Sequence, residues 1–383
     1  MNRRNARLGT VLLAGVFFST AARLSAVEPE EARIRDHVAR LASPEFQGRR
    51  GSGGDKAAKY VADQLQRLGL KPLFDGSFFQ TIPGREGVAS SGRNVGAVLR
   101  GADPALRDQW VIVSAHFDHL GTREGVVYPG ADDNASGVAM MLEVARSFVE
   151  GKEPPKRSLM FIGFDLEEVG LFGSRYFVEH SPAPLANVSL FITADMIGRS
   201  LGGVCEPYVF VMGTEHAPGV RSWIDGAAKG KTVTVGLLGS DLLLLDRSDY
   251  GPFRTRKVPY LFFSTGESPV YHTPLDVPET LNYAKVEAIS RIILGVTRRA
   301  VEIDHVPAWS SAPDHTLAEA VTIRAVLRIL LANRAGLKIG AAPLLLIKNA
   351  IRSLDAIIAR GVITAEERTG VVRVARIVLM SVL

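Results

Sequence analysis

Two adjacent glutamates, Glu167 and Glu168, follow an apolar run over 159–164, with Asp165 just before them. Three carboxylates so close repel one another, so each must be solvated, protonated or bound to a cation. Adjacent carboxylates can also divide labour, one gripping a metal while the other moves a proton. Taken by itself, Glu-Glu could equally be a solvated loop before a helix. Other donors recur along the chain: His116-Phe-Asp118-His119, Ala131-Asp132-Asp133-Asn134, Asp195-Met-Ile-Gly198 and Tyr271-His272-Thr273. His116, Asp118, Asp133, Glu167, Glu168, Asp195 and His272 together offer two imidazoles and several carboxylates. That set suits one or two zinc-like ions. Two zincs about 3.5–4 Å apart can share a carboxylate and clamp one water, whose pKa falls by several units. A glutamate left free beside that water can accept its proton and pass it to a leaving amine.

Such groups need rigid elements to bring them together. Runs at 95–99, 110–115, 159–164, 188–194, 208–212 and 258–263 read as strands, several of them fully buried. Between them lie helical patterns: 138–149, 171–180, 219–229 and 284–296. The alternation implies an α/β fold, a mostly parallel mixed sheet sandwiched between helices. Ligands of such sheets bind beyond the carboxyl ends of the strands. His116, the glutamate pair and Asp195 each follow a strand directly, and His272 follows one shortly after. Upstream, 30–46 reads as helical and Gln47 to Gly54 as a flexible, glycine-rich loop without a dinucleotide pattern. Asp55 reads as the cap of a helix buried through Ala57, Ala58, Val61, Leu65 and Leu68 and ended by Gly69. Residues 230–257 read as irregular.

The composition sets wider bounds. The chain has 383 residues, 46% hydrophobic and 22% charged, which suits one large or two modest domains. Its net charge of +5 is small and interspersed, with no basic stripe for nucleic acid. The single cysteine, Cys205, excludes an intrachain disulfide and a cysteine-rich zinc site. Arg3, Arg4 and Arg7 precede an apolar run at 10–18 and then small residues, the form of an export signal. Cleavage is expected near Ala26, with Ala21 or Ala22 as other choices, and a permanent anchor is the alternative. The expected organisation is a signal at 1–26, a main domain at 27–303 and a helical extension at 304–383. That extension follows a proline-containing linker and carries helices at 316–332, 342–360 and 365–382. Thr364 and Glu367 fit a capping box for the last one. The extension is expected to pack on the main domain or on a partner chain.

The order His-x-Asp, Asp-Asn-x-Ser-Gly, Glu-Glu, Asp-Met-Ile-Gly and Tyr-His-Thr resembles the M28 family of metallopeptidases, the co-catalytic zinc aminopeptidases. The resemblance spans roughly residues 30 to 303. It implies a zinc-exopeptidase-like fold and two Zn2+ ions per chain. His116 and Asp195 would hold one ion, Glu168 and His272 the other, and Asp133 would bridge them. Glu167 would be the general base. Asp118 would fix the tautomer of His116, and Tyr271 would hydrogen-bond the tetrahedral oxyanion. A cis peptide is expected at Asp133–Asn134. His119 is expected beyond the ligand shell or at the surface, and Asp132 in support of its loop. Asp165 would buffer the glutamate pair or cap a turn. Arg199 would contact substrate or pair with an acid, and Asp276 would brace the His272 loop. Many relatives have histidine where this chain has Tyr250, which bears on the pocket wall.

The implied activity is that of an exported aminopeptidase acting on peptides, periplasmic or extracellular, with no nucleic acid and no lasting membrane anchor. A carboxypeptidase is a variant of that reading. Two other classes are a glutaminyl cyclase-like transferase and a non-catalytic, receptor-like binding module. The survival of all five ligand positions and the base argues against the module, and Tyr271 and the Glu-Glu segment argue against the transferase.

Overall fold

A computed structural model describes residues 27–84, 90–151, 153–240, 246–314 and 316–382. The expected export signal therefore lies outside the described residues. Among them, no helix is long and apolar enough to cross a membrane.

The frame is a nine-stranded sheet. Its strands are β1 (Lys71–Pro72), β2 (Phe79–Pro83), β3 (Ser90–Leu99), β4 (Trp110–His116), β7 (Ser158–Phe164), β8 (Val188–Ala194), β9 (Tyr208–Met212), β10 (Thr234–Leu237) and β11 (Tyr260–Ser264); β5 (Thr122–Arg123) and β6 (Val126–Val127) form a separate hairpin. The order is β1-β3-β7-β4-β8-β11-β9-β10, with β2 also on β3. The centre, β7-β4-β8-β11, is parallel, and the pairs β3–β7 and β11–β9 on either side of it are antiparallel. Parallel strands must be covered on both faces, and these strands alternate accordingly. Val111, Val113, Phe161, Ile192 and Phe263 enter one apolar cluster, while Ile112, Met160, Phe191 and Phe262 enter another.

Helices α1 (Glu31–Leu41), α2 (Ser52–Arg67), α3 (Gly137–Val149), α5 (Arg221–Ala228) and α7 (Tyr283–Glu302) cover the first face. The second is covered by α4 (Phe172–Glu179), α6 (Tyr250–Thr255) and three C-terminal helices, α8 (Leu317–Ala332), α9 (Ala341–Arg360) and α10 (Ala365–Val382). The capping box forms as expected: Glu367 N donates to Thr364 Oγ1 (3.2 Å) and Thr364 N to the Glu367 carboxylate (3.0 Å).

Two local expectations are corrected. The glycine-rich stretch is not a flexible loop, because α2 already begins at Ser52 and Asp55 sits within its first turn. Gly53 is needed there for contact: a Cβ would meet the Phe46 carbonyl oxygen at 2.0 Å. Residues 230–257 are also more regular than expected, since they contain β10 and α6. Tyr250 is fully buried and stacks on Tyr260 with 5.2 Å between ring centroids, inside the core.

Candidate metal centre

The rim formed by the carboxyl ends of the central strands gathers the acids and imidazoles. His116 is the last residue of β4, Asp195 follows β8, and Glu167 and Glu168 follow β7 by three and four residues. Asp133 comes from the turn before α3, where the Asp133–Asn134 peptide is cis. Gly130 opens that turn at φ 59°, and a Cβ there would meet the Asp133 carbonyl oxygen at 2.2 Å.

Asp133 stands between two imidazoles. His116 Nε2 lies 3.5 Å from its Oδ1 and 3.3 Å from Asp195 Oδ1. His272 Nε2 lies 3.1 Å from Asp133 Oδ2 and 3.1 Å from Glu168 Oε2. Yet His116 Nε2, His272 Nε2 and Asp195 Oδ1 are buried atoms without a hydrogen-bond partner. Buried polar atoms seldom go unsatisfied. Imidazole nitrogens and carboxylate oxygens aimed at one another without bonding fit a cation held between them. The donors of His116, Glu167 and Asp195 lie within 4.8 Å of one another, as do those of His119, Asp133 and Glu168. The residues present thus fit a metal centre.

The surrounding groups fix these donors. The Asp118 carboxylate accepts from Glu167 N (3.0 Å) and Glu168 N (3.2 Å) and lies 3.5 Å from His116 Nδ1. Asp276 accepts from the Asp132 and Asp133 amides and pairs with Arg199 at 2.9 Å, so it braces the Asp133 turn. Arg199 is therefore paired with an acid. Asp132 accepts from Gly198 N at 2.6 Å and from Ser136 Oγ, tying that turn to the segment after Asp195. Asp165 accepts from Arg93 N and Leu166 N. Tyr271 stacks on His272 with 3.8 Å between ring centroids.

Electrostatics divides the glutamate pair. Burial pushes Glu167 well above the usual carboxylate range, and the charge of Asp195 adds to this. Burial acts on Glu168 too, but the hydrogen bond with His119 and the imidazole of His272 close by outweigh it and hold that carboxylate below its ordinary range. Burial likewise pushes the phenol of Tyr271 up, so it stays protonated.

Two residues at the site, Arg49 and Asp249, were not picked out from the sequence, and His119 was expected beyond the ligand shell or at the surface. His119 is not at the surface: it is buried, and its Nδ1 lies 2.7 Å from Glu168 Oε1. Arg49 is fully buried and donates to the carbonyls of Phe117, Leu41, Pro129, Gly130 and Asp133. Asp249 is buried just before α6, where burial pushes its carboxyl up to about 7 and the charge of His116 opposes this. The short spacing His116-x-Asp118-His119 was a signal for His119; Arg49 and Asp249 carry none.

Comparison with known proteins gives a consistent result. The sequence profile described as peptidase family M28 matches residues 94–297. Aminopeptidase YwaD of Bacillus subtilis is 28% identical over 204 residues, 51% of this chain and 42% of that protein. Leupeptin-inactivating enzyme 1 of Streptomyces exfoliatus is 27% identical over 278 residues, 68% of this chain and 57% of that protein. The match thus spans roughly half of each of these relatives. Among solved structures, BSAP, a zinc aminopeptidase from Bacillus subtilis, superposes with a TM-score of 0.58 at 16% identity, covering 75% of this chain and 100% of that one.

Proposed function

The chain belongs to peptidase family M28, and on that premise we propose that it is a zinc-dependent aminopeptidase acting outside the cytoplasm. The observation that carries this reading is Asp133. One of its oxygens faces His116 and the other His272, and both imidazole nitrogens lack hydrogen-bond partners. His116 and Asp195 would hold one ion, Glu168 and His272 the other, with Asp133 between. Bound there, zinc supplies Lewis acidity for a peptide carbonyl and lowers the pKa of water.

The remaining work falls to the chain's own groups. Glu167 takes the proton of the attacking water and returns it to the departing amine. Burial raises its pKa from the ordinary glutamate value, and cations held by His116 and Asp195 would oppose that shift and favour the carboxylate that accepts the proton. Asp118 holds both glutamate amides and so keeps the base apart from the ligand. Tyr271, protonated and stacked on His272, donates to the oxygen of the tetrahedral intermediate. Peptide substrates and the exopeptidase preference follow from the named relatives. The pattern of residues 1–26 supports export.

The test uses full-length protein loaded with zinc, and peptides with free or acetylated amino termini. Free peptides should be cleaved, acetylated ones spared, and a chelator should abolish turnover. Glu167→Gln should lower kcat by about 10²–10⁴-fold while bound zinc, measured by elemental analysis, stays at the wild-type level. Equal cleavage of acetylated peptides would overturn the aminopeptidase reading. Turnover that survives chelation would overturn the metal-dependent one.

A further inference from the structure

Charge is divided unevenly along the chain. Residues 27–315 hold 36 acidic and 31 basic side chains, whereas 316–382, the segment of α8, α9 and α10, holds ten basic and four acidic ones. Three of those four acids are engaged within the helices. Asp355 pairs with Arg324 at 3.0 Å and with Arg328 at 2.8 Å, Glu367 with Arg360 at 2.6 Å, and Glu319 with the buried Arg368. Arg334, Lys338, Lys348, Arg352, Arg373 and Arg376 have no ion pair among the described residues. Lys348 and Arg352 line a groove of about 430 Å³ between the end of α8 and the start of α9, together with Leu331, Leu345 and Ile351. Arg334 stands at its edge, donating to the Leu331 carbonyl at 3.4 Å, and Lys338 lies in the same α8–α9 connection. Leu345, Lys348 and Arg352 recur at steps of three and four, so they share one face of α9. Leu345 is 59% exposed there.

We propose that this face of α8 and α9 docks on a membrane surface rich in anionic phospholipid, with Leu345 at the acyl boundary and Lys348 and Arg352 on the phosphates. A helix face that combines exposed apolar and basic side chains has the chemistry of an interfacial element. Among the described residues no helix is long and apolar enough to cross a membrane, so the contact stays at the surface. The hydrogen-bonding inventory of the groove selects lipid over a peptide. Its lining side chains offer donors, from Lys348 and Arg352, but no acceptor. The carbonyls within α9 are taken up by the helix itself, so a peptide laid in the groove would leave its N–H groups without partners. A phospholipid brings phosphate acceptors and apolar chains and has no backbone to satisfy. Nucleic acid also brings phosphates, but the lining has no aromatic ring on which bases could stack. A second copy laid face to face would set like charges against each other. The acidic balance of residues 27–315 turns the rest of the protein away from an anionic surface.

The test reads position as well as affinity, because residues 1–26 carry arginines and an apolar run of their own. An environment-sensitive fluorophore is attached to the full-length protein through Ala341→Cys, four residues before Leu345 on α9, or through Gln66→Cys on α2 as the control. Both positions are exposed, and the natural Cys205 is buried. Vesicles are phosphatidylcholine alone or mixed with phosphatidylglycerol. On mixed vesicles the emission at 341 should shift to the blue and that at 66 should not. The affinity read from that shift should fall with added salt. It should also fall at least about tenfold in Lys348→Glu/Arg352→Glu, since each cation near such a surface contributes roughly fivefold. Should that variant not fold, Lys348→Gln/Arg352→Gln takes its place under the same criterion. No shift at 341 on mixed vesicles would overturn the proposal, as would an equal shift at 66 or an equal shift on phosphatidylcholine alone. Affinity unchanged by loss of the two cations would overturn it too. A dimer found by ultracentrifugation in vesicle-free buffer, and dissolved by the same substitutions, would assign the groove to a second copy and end the lipid reading. No readout involves turnover, so the outcome is independent of what the metal centre does.

Discussion

Arg49 carries a full charge into the core and meets carbonyl oxygens there, with no carboxylate at bonding distance among the described residues. Burial accordingly lowers its pKa from the usual value. Its guanidinium ties the segment after β4 to the Gly130–Asp133 turn, so it holds in place the carboxylate that stands between the two imidazoles. Arg49→Met should cost about 3 kcal/mol or more in urea denaturation, because several buried carbonyls lose their donor at once. His119 acts one bond from the proposed metal donors: its hydrogen bond with Glu168 Oε1 leaves Oε2 facing His272. Partners that orient a metal ligand typically contribute 10–100-fold in affinity. His119→Ala should therefore weaken zinc binding by about that factor in a competition titration against a chromophoric chelator. A purely space-filling His119 would leave the affinity unchanged. Residues with metal-binding chemistry could be found in the sequence because their types are rare at strand ends. Arg49 could not, because an arginine beside Arg50 in the glycine-rich stretch from Gln47 to Gly54 gives no sign that it folds inward.

Elements were legible where burial is two-sided. β4, β7 and β8 read as Val-, Ile- and Phe-rich runs because both faces are covered, and their observed ends differ from the expected ones by no more than one residue. β10 was missed because Thr-Val-Gly-Leu is short, contains glycine and pairs only with β9 among the described strands. The start of α2 was missed for the opposite reason: glycine is a poor helix former, yet Gly53 is kept where a side chain would strike Phe46. The contact between α1 and α2 also carries a pH dependence. His37 Nδ1 lies 2.7 Å from Tyr60 Oη, and burial pushes the imidazole pKa down to about 4. The unfolded chain, with an ordinary histidine pKa of about 6.5, binds the proton first as pH falls. Stability from this group is therefore complete above pH ~6.5 and lost as pH drops towards about 4. Urea midpoints recorded between pH 7 and 4 should fall, and His37→Gln should flatten that part of the slope.

Across the whole molecule, the question is whether the C-terminal helices form a separate body or part of the sheet's second face. Their apolar residues, including Leu330, Leu354 and Val378, belong to the same cluster as Ile112, Phe191 and Phe262 of the sheet. Fully burying one such side chain contributes about 1.5–3 kcal/mol, so the face they cover could not stay folded in water without them. A polar tie reinforces the joint. Glu319 of α8 accepts from Arg368 Nη2 of α10 at 3.0 Å and from Gly239 N, just after β10, at 2.8 Å. Both side chains are almost fully buried, at 7% and 5% exposure, so removing Arg368 leaves the Glu319 carboxylate buried without that charge partner. Arg368→Leu should destabilise the protein by about 3–5 kcal/mol. Because helix and sheet share one core, the loss should lower the midpoint of a single urea transition, monitored both by far-ultraviolet circular dichroism and by tryptophan fluorescence. An early transition confined to helical signal would mean that the extension unfolds by itself. The double variant Glu319→Leu/Arg368→Leu should recover most of the loss, since it removes both charges and fills the space with apolar atoms. If the double variant is as unstable as Arg368→Leu alone, the hydrogen bond to Gly239, and not the charge pair, is what joins these helices to the sheet.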